Sequence, residues 1–321
     1  MRLLPSIVVS ILLAGALPAP APAAVSAPAQ AAQRVAFAFH SGFLMNLHHV
    51  LYDLAVHPAA FDALPADEAA ALRDAVAFYR AQYAGRDLLF DATMASIRRA
   101  LSVDDARRDP AGLDLPPGLA DVLRRAAPVY ARRAWPAHDA INRAWIRQVA
   151  ALDARYGADV QLAVERGLAS PYPSTPVRID VVAETGKRQG AYTDTQAVIP
   201  AGRASYGGIA ALEMLYHEAA HVQSADALEA AIAARLKAQG RTDDSELWHV
   251  LQFYTVGTAV ANAVRRDGID YVPYAEKVGL MRGPWAPFQP LIDADWKPYL
   301  AGRESLQDAL AHMVARLPAG L

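Results

Sequence analysis

The chain of 321 residues contains no cysteine. It therefore forms no disulfide bond, has no cysteine nucleophile, and must hold any metal ion with histidine and carboxylate ligands. A charge excess is also missing, because 31 basic and 33 acidic side chains leave a formal net charge of −2. This balance gives no general electrostatic reason to bind nucleic acid.

The motifs of several large enzyme classes are absent as well. The sequence has no G-x-S-x-G nucleophile elbow, no phosphate-binding glycine loop and no dinucleotide-binding fingerprint. Serine hydrolase and nucleotide-dependent functions are therefore unsupported. The composition is 54% hydrophobic, and much of that fraction is alanine, which favours helix over strand. We expect an α+β protein that is predominantly α.

The one long apolar run lies at the N-terminus. Leu3–Leu17 follows a single arginine and precedes Ala21-Pro22-Ala23, which has the pattern of a signal-peptide cleavage site. The run is shorter than the roughly 20 residues of a membrane-spanning helix. It predicts a signal peptide over 1–24, export to the periplasm or the exterior, and no membrane span after cleavage. Residues 25–33, rich in Ala and Pro, are expected to form a flexible mature N-terminus.

Two regions are expected in the remaining chain. Helical periodicity dominates 34–175, whereas 176–321 begins with strand-like sequence. Three prolines within Ser170–Pro176 mark the boundary, because they are incompatible with a helix. The runs Arg178–Glu184 and Thr195–Pro200 have β-type composition and are predicted to form a hairpin.

Two helices are predicted after these strands, over Ile209–Gln223 and Ser245–Arg265. The first contains the run HEAAH, in which His217 and His221 are four residues apart and so lie on one helix face. Both imidazoles can then reach one metal ion. Glu218 is turned by about 100° around the helix axis from His217. It can therefore hydrogen-bond a water molecule on that metal, as a general base does in hydrolysis.

The sequence resembles the zincin superfamily of metallopeptidases in two features. One is the HEAAH run itself, and the other is the order of strands followed by the helix that carries this run. The resemblance covers about Arg178 to Arg265 and implies a zincin-like catalytic region over 176–321. It further implies a Zn²⁺ cofactor, a peptide or other amide-containing substrate, and hydrolysis by a water molecule that Glu218 activates. It would make Thr195–Pro200 the strand that faces the substrate.

The third metal ligand is expected in the second predicted helix. The metzincin extension HExxHxxGxxH does not fit, because Ser224 and Ala227 occupy its glycine and last histidine positions. Glu246 and His249 are three residues apart and so lie on nearly the same face. A gluzincin-like pattern would use Glu246. We expect His249, because a histidine among apolar neighbours needs a partner and a metal ion supplies one.

Other polar residues are open to more than one interpretation. Tyr254 is a candidate donor to the oxyanion of a tetrahedral intermediate, or a core residue. Glu213 either orients a ligand imidazole or is an exposed carboxylate near the helix N-terminus. One further cluster suggests a second metal site, a wall of the active cleft, or pairs on a solvated face: His48, His49, Asp53 and His57. Another suggests substrate contact or a helix N-cap: His138, Asp139 and Asn142.

The sequence therefore predicts an exported zinc metallohydrolase that acts as a peptidase. Two other classes of function stay open. One is a catalytically silent zinc-binding or scaffold protein of the cell envelope. The other is a metal-free helical binding protein in which HEAAH is a coincidence.

Overall fold

The computed structural model of the protein describes residues 34–184, 190–193, 196–222, 224–241 and 246–318. The predicted signal peptide and flexible N-terminus lie outside these described residues. None of the helices in the described ranges has the length and apolar character that a membrane span requires.

The first half of the described chain is helical after one short strand, β1 (Phe37–His40). Its helices are α1 (Phe43–Val56), α2 (Pro58–Asp62), α3 (Ala66–Gln82), α4 (Ala92–Leu101), α5 (Leu119–Arg133) and α6 (Trp135–Leu168). Pro136 lies in the first turn of α6, where its missing N–H costs no hydrogen bond, so α5 and α6 are separate helices. The four residues of β1 were not predicted as a strand.

The second half contains the other strands and the remaining helices. These are β2 (Val177–Val182), β3 (Ala191–Thr193), β4 (Gln196–Pro200), α7 (Ile209–Ala220), α8 (Ser224–Ala238), α9 (Leu247–Arg265), α10 (Tyr274–Lys277), α11 (Gln289–Leu291), α12 (Lys297–Leu300) and α13 (Leu306–Arg316). The expected fold class, α+β and predominantly α, is confirmed. Helices α8 and α13 were not predicted.

The four strands form one sheet in the order β1-β2-β4-β3. Strand β2 is parallel to both β1 and β4, and only β3 is antiparallel to its neighbour β4. The predicted hairpin between Arg178–Glu184 and Thr195–Pro200 is therefore wrong. Both β2 and β4 are almost entirely buried, as parallel strands covered on two faces usually are, and among the described strands β3 alone runs opposite to the others.

The order of strands also corrects the expectation for Thr195–Pro200. Strand β4 has a neighbour on each side, so it is not the edge that could pair with an extended substrate. That edge of the sheet is β3, which pairs through Ala191–Thr193 with Gln196–Val198.

The sheet lies between two hydrophobic clusters. Ile179 and Val181 of β2 face a cluster built by α6, α7, α8 and α9, whereas Val182 of β2 and Val198 of β4 belong to a cluster built by α1, α3, α4 and α5. Neighbouring residues in a strand point to opposite faces, which explains the alternation. The valine, isoleucine and alanine side chains of β2 and β4 thus contribute to one core or the other.

Residues Arg34–Leu321 form one compact unit. Strand β1 pairs with β2, and α6 packs against α7 and α9. The predicted boundary near residue 175 consequently falls inside this unit.

Candidate metal centre

Helix α7 carries the HEAAH run through the centre of the larger core. The helix begins after Gly208, whose φ of +63° suits glycine and would strain other residues. From Ala210 to Ala220 every residue is buried, as expected for a helix that is apolar on most faces. The helix ends at Ala220, so His221 follows its last turn instead of lying in mid-helix.

The rings of three histidines converge at this helix end. The Nε2 atoms of His217 and His221 are 3.2 Å apart. The ring centroid of His249, on α9, lies 5.3 Å from each of the other two. One nitrogen from each ring falls within 4.8 Å of the others, a spacing that allows all three to bind one ion.

Helix α9 is held against α7 at this point by a buried amide. Gln252 donates from Nε2 to the backbone oxygen of His217 at 2.8 Å. This carbonyl belongs to the last turn of α7, where intrahelical donors are missing. The bond fixes α9, and with it His249, beside the end of α7. The negative end of the α7 dipole also favours a cation there.

The three imidazoles are neutral in this environment. Burial, followed by the repulsion that a protonated His221 or His249 would exert, holds the pKa of His217 well below its ordinary value. Burial lowers the pKa of His221 to about 3 and that of His249 to about 4. Neutral imidazoles keep a lone pair for a metal ion, so the donor set suits zinc without prior loss of protons.

Glu218 lies in the same pocket and is only 2% exposed. Its negative charge reaches Tyr206, whose pKa is raised well above 10 by burial first and by Glu218 next. A carboxylate held in a poorly solvated pocket beside three neutral imidazoles is well placed to exchange a proton with a bound molecule.

The two candidate third ligands are used differently. His249 joins His217 and His221, whereas the carboxylate of Glu246 accepts a hydrogen bond from the indole Nε1 of Trp285 at 2.7 Å. Glu246 immediately precedes α9 and lines the pocket. The geometry therefore favours His249 as the ligand and gives Glu246 the task of holding Trp285.

Tyr254 does not reach the pocket, so the expected oxyanion role does not fit the structure. Its ring lies 5.9 Å from the Lys297 ammonium, on a different face of α9 from His249. Two other tyrosines line the pocket, Tyr206 and Tyr274. Neither was predicted, because Tyr206 ends a three-residue 3-10 turn and Tyr274 begins the four-residue α10, which are too short for periodicity to indicate which side chains point inward.

Glu213 has neither of the roles considered from the sequence. It is fully buried, and its carboxylate accepts bonds from the Tyr271 hydroxyl at 2.7 Å and from the Tyr274 backbone N–H at 2.9 and 3.1 Å. Gly257 of α9 leaves the necessary room, since a Cβ there would lie 3.0 Å from Glu213 Oε1 and 2.8 Å from Pro273 Cβ. Glu213 thus fastens the segment that carries Tyr274.

We expect Glu213 to make stability depend on pH. Burial raises its pKa from 4.5 to about 7, so the folded protein keeps this proton where the unfolded chain loses it. Stability from this group is present below about pH 4.5, falls as pH rises to about 7, and then levels off, a change on the order of 3 kcal/mol. Glu213→Gln should remove this slope.

The measurement is urea denaturation of the metal-stripped protein between pH 4.5 and 7.5, for the wild type and Glu213→Gln. Asp114→Asn, at an exposed carboxyl, serves as the control and should keep the wild-type slope. A slope that is the same in all three proteins would show that Glu213 titrates as an ordinary carboxyl.

The pocket over the three histidines has a volume of about 830 Å³. Its walls come from α7, α9, the 274–285 segment, the sheet edge near Gly190 and the turn before α4. Most of the lining side chains besides the histidines and glutamates are aromatic or aliphatic: Phe90, Tyr206, Met214, Trp248, Phe253, Tyr274, Val278, Leu280 and Trp285.

The N-terminal histidine cluster does not form a second metal site among the described residues. His48 and His49 are both fully buried, where His48 Nδ1 contacts the Tyr79 hydroxyl at 2.8 Å and His49 Nδ1 contacts the Glu184 backbone oxygen at 3.0 Å. His57 pairs with Asp53 at 2.9 Å on a partly exposed face. These residues are divided between core and surface.

The second polar cluster is structural as well. Asp139 accepts from Ser41 Oγ at 2.8 Å and from Arg143 at 2.8 Å, and Asn142 donates to Ser41 and Asn46. His138 contacts the Tyr130 hydroxyl. The bonds of Asp139 and Asn142 join α6 to the start of α1, the contact of His138 joins α6 to α5, and none of the cluster lines the pocket.

One more group has the spacing of a metal site, Asp295, Glu304 and His312. Arg316 already pairs with Asp295, and His312 bonds Glu304 at 2.7 Å, so this group is an ion-pair network on the C-terminal segment.

Comparison with protein-family models, with curated proteins and with solved structures gives no match for the chain.

Proposed function

We propose that the protein is a zinc-dependent metallohydrolase that cleaves amide bonds, acting as a peptidase. The observation that carries the proposal is the convergence of three neutral imidazoles, from His217, His221 and His249, beside the buried carboxylate of Glu218. Three nitrogen ligands with one open position are typical of catalytic zinc sites. The HEAAH run, with its resemblance to zincins, supports the same conclusion.

The three histidines would hold the ion through their ring nitrogens. When bound, zinc lowers the pKa of water towards neutrality and polarises a carbonyl group. Glu218 then acts as the general base, accepting a proton from the attacking water and passing it to the leaving nitrogen. Its burial keeps the carboxylate close to the reacting groups and away from bulk water.

Tyr274 takes the role that the sequence suggested for Tyr254. Its hydroxyl shares hydrogen bonds with the side chains of Ser205 and Tyr206, and its backbone N–H is fixed by Glu213. A hydroxyl held in this way beside the metal pocket can donate to the developing oxyanion. Tyr206 would contribute by orienting Tyr274.

The proposed setting is the periplasm or the exterior of the cell. The support is the apolar run Leu3–Leu17 with the Ala21-Pro22-Ala23 pattern after it. The expected substrates are peptides or other amide-containing molecules that reach this compartment.

Metal analysis combined with a hydrolysis assay tests the proposal. We expect one zinc ion per chain, hydrolysis of an unfolded protein substrate such as reduced casein, loss of activity with a chelator, and recovery on adding Zn²⁺. Chelation should also lower the melting temperature, because an ion bound only by the folded state stabilises it. Zinc without hydrolysis would favour the silent zinc-binding protein, and a chain with no zinc would favour the metal-free binding protein.

A further inference from the structure

We infer that the pocket selects substrates with a large apolar side chain, aromatic or aliphatic, next to the amide that is cleaved. This inference rests on the proposed function and specifies its substrate class. It follows from three features of the pocket: an exposed phenylalanine, an aliphatic pair from another part of the chain, and an aromatic wall beside the histidines.

Phe90 is the first feature. It lines the pocket and is 57% exposed. Its turn is firmly held, since the Asp87 carboxylate accepts the N–H groups of Leu89 and Phe90 at 2.9 and 3.0 Å. Arg98, itself buried, donates to the carbonyl oxygens of Leu88 and Leu89. Phe90 is therefore presented to solvent by a fixed turn.

Val278 and Leu280, from the segment after α10 begins, are the second feature of the pocket lining. Val278 is 44% exposed, and its N–H donates to the Tyr274 backbone oxygen at 2.9 Å at the end of α10. The buried Glu213 fastens this segment through the Tyr274 N–H. Two of the exposed large hydrophobic side chains on the described surface, Phe90 and Val278, thus face one pocket from different parts of the chain.

The inner wall next to the histidines is aromatic. Phe253 stacks on His217 with ring centroids 3.6 Å apart, and Trp285 lies 5.2 Å from Phe253 and 5.7 Å from His249. The ring centroid of Trp248 lies 5.0 Å from that of His249. A group bound at the histidines therefore has aromatic surface directly beside it.

Charged groups are few in the described lining of the pocket. Besides the neutral histidines they are Glu218 and Glu246, and Glu246 is engaged by the indole of Trp285. The volume of about 830 Å³ is within the range of about 300–1,000 Å³ in which ligand pockets bury most of a small molecule. An apolar side chain gains most by leaving water in such a place.

The test measures binding to the zinc-loaded protein by calorimetry, so that it does not depend on turnover. The probes are the N-acetyl hydroxamates of glycine, leucine and phenylalanine, which share one metal-binding group and differ in the side chain. We expect the leucine and phenylalanine compounds to bind on the order of tenfold tighter than the glycine compound. Phe90→Ala combined with Val278→Ala should reduce that preference to about threefold or less.

Leu162→Ala is the matched control, because Leu162 is 43% exposed but lies outside the pocket, and it should leave the preference unchanged. Equal binding of all three hydroxamates, or a preference that survives the double substitution, overturns the inference while leaving the zinc hydrolase intact. A chain that retains no zinc and binds no hydroxamate overturns both. Mapping cleavage sites in casein gives a second readout, and cuts flanked by apolar residues support the inference.

Discussion

Glu218→Gln is expected to lower the rate of peptide hydrolysis by about 10²- to 10⁴-fold, the contribution of a positioned general base. The amide has the size and shape of the carboxylate but cannot accept a proton. The three side chains that would hold the ion are histidines, and Glu218 is not one of these ligands. The variant should therefore bind one zinc ion and keep the melting temperature of the wild type within a few degrees. Initial rates, metal content and thermal denaturation are measured on the same preparation.

Glu246→Gln provides the contrast, since Glu246 is the other described carboxylate of the pocket. A glutamine oxygen can still accept the Trp285 indole N–H, so this variant should lose only a few-fold in rate. If Glu218→Gln kept more than about a tenth of the wild-type rate, well above the loss expected for a general base, another group would have to supply the proton transfer.

His249→Ala is expected to abolish stoichiometric zinc binding, whereas Glu246→Ala should leave the ion in place. The reason is the difference in their surroundings: the His249 ring lies 5.3 Å from both other rings, and Glu246 accepts from Trp285. Removing a ligand leaves the ion under-coordinated. Removing a carboxylate that only steadies a neighbouring side chain typically costs about 10- to 100-fold in affinity.

Zinc content is determined by elemental analysis after dialysis, and affinity by competition with a chromophoric chelator. Leu162→Ala is again a suitable reference for an unrelated surface change. If His249→Ala retained zinc and Glu246→Ala lost it, the carboxylate of Glu246 would have to rotate away from Trp285 to bind the ion. The gluzincin-like assignment would then replace the one proposed here.

The histidine site is the part that the sequence predicts best. The four-residue spacing of His217 and His221 already places two imidazoles together, because helix geometry is local. His249 could be singled out because a histidine among apolar neighbours on a helix is costly without a partner. These inferences need only helical periodicity, which the described parts of α7 and α9 obey.

The choice of tyrosine could not be made in the same way. On α9, His249 and Phe253 are four residues apart and share a face, and Tyr254 is turned by a further 100° towards Lys297. A helical wheel drawn from the sequence is enough to show that Tyr254 lies on a different face from His249. It does not show where Tyr274 lies, because the position of Tyr274 depends on the bond to Glu213, which joins residues far apart in the chain.

The prediction of the strand pairing was wrong for a related reason. Composition identified the sequences of β2 and β4 as strands, but composition does not determine which strands pair with each other in the sheet. Here β2 is flanked by β4 and by β1, a strand too short to be recognised alone, and the result is a parallel arrangement. Pairing is decided by packing between distant elements, which a local pattern does not contain.

The pairing of β1 with β2 has a consequence for how the protein reaches its native state. Phe37–His40 of β1 pairs with Val177–Asp180 of β2 across the whole intervening helical block, so the contact closes a very long loop. Such non-local contacts slow folding, because the entropy of closure is lost before the contact is gained. Until β1 docks, β2 presents an unpaired edge, which invites association with other chains. Synthesis from the N-terminus makes β1 available first, and it must wait for its partner strand throughout translation of the helices between them.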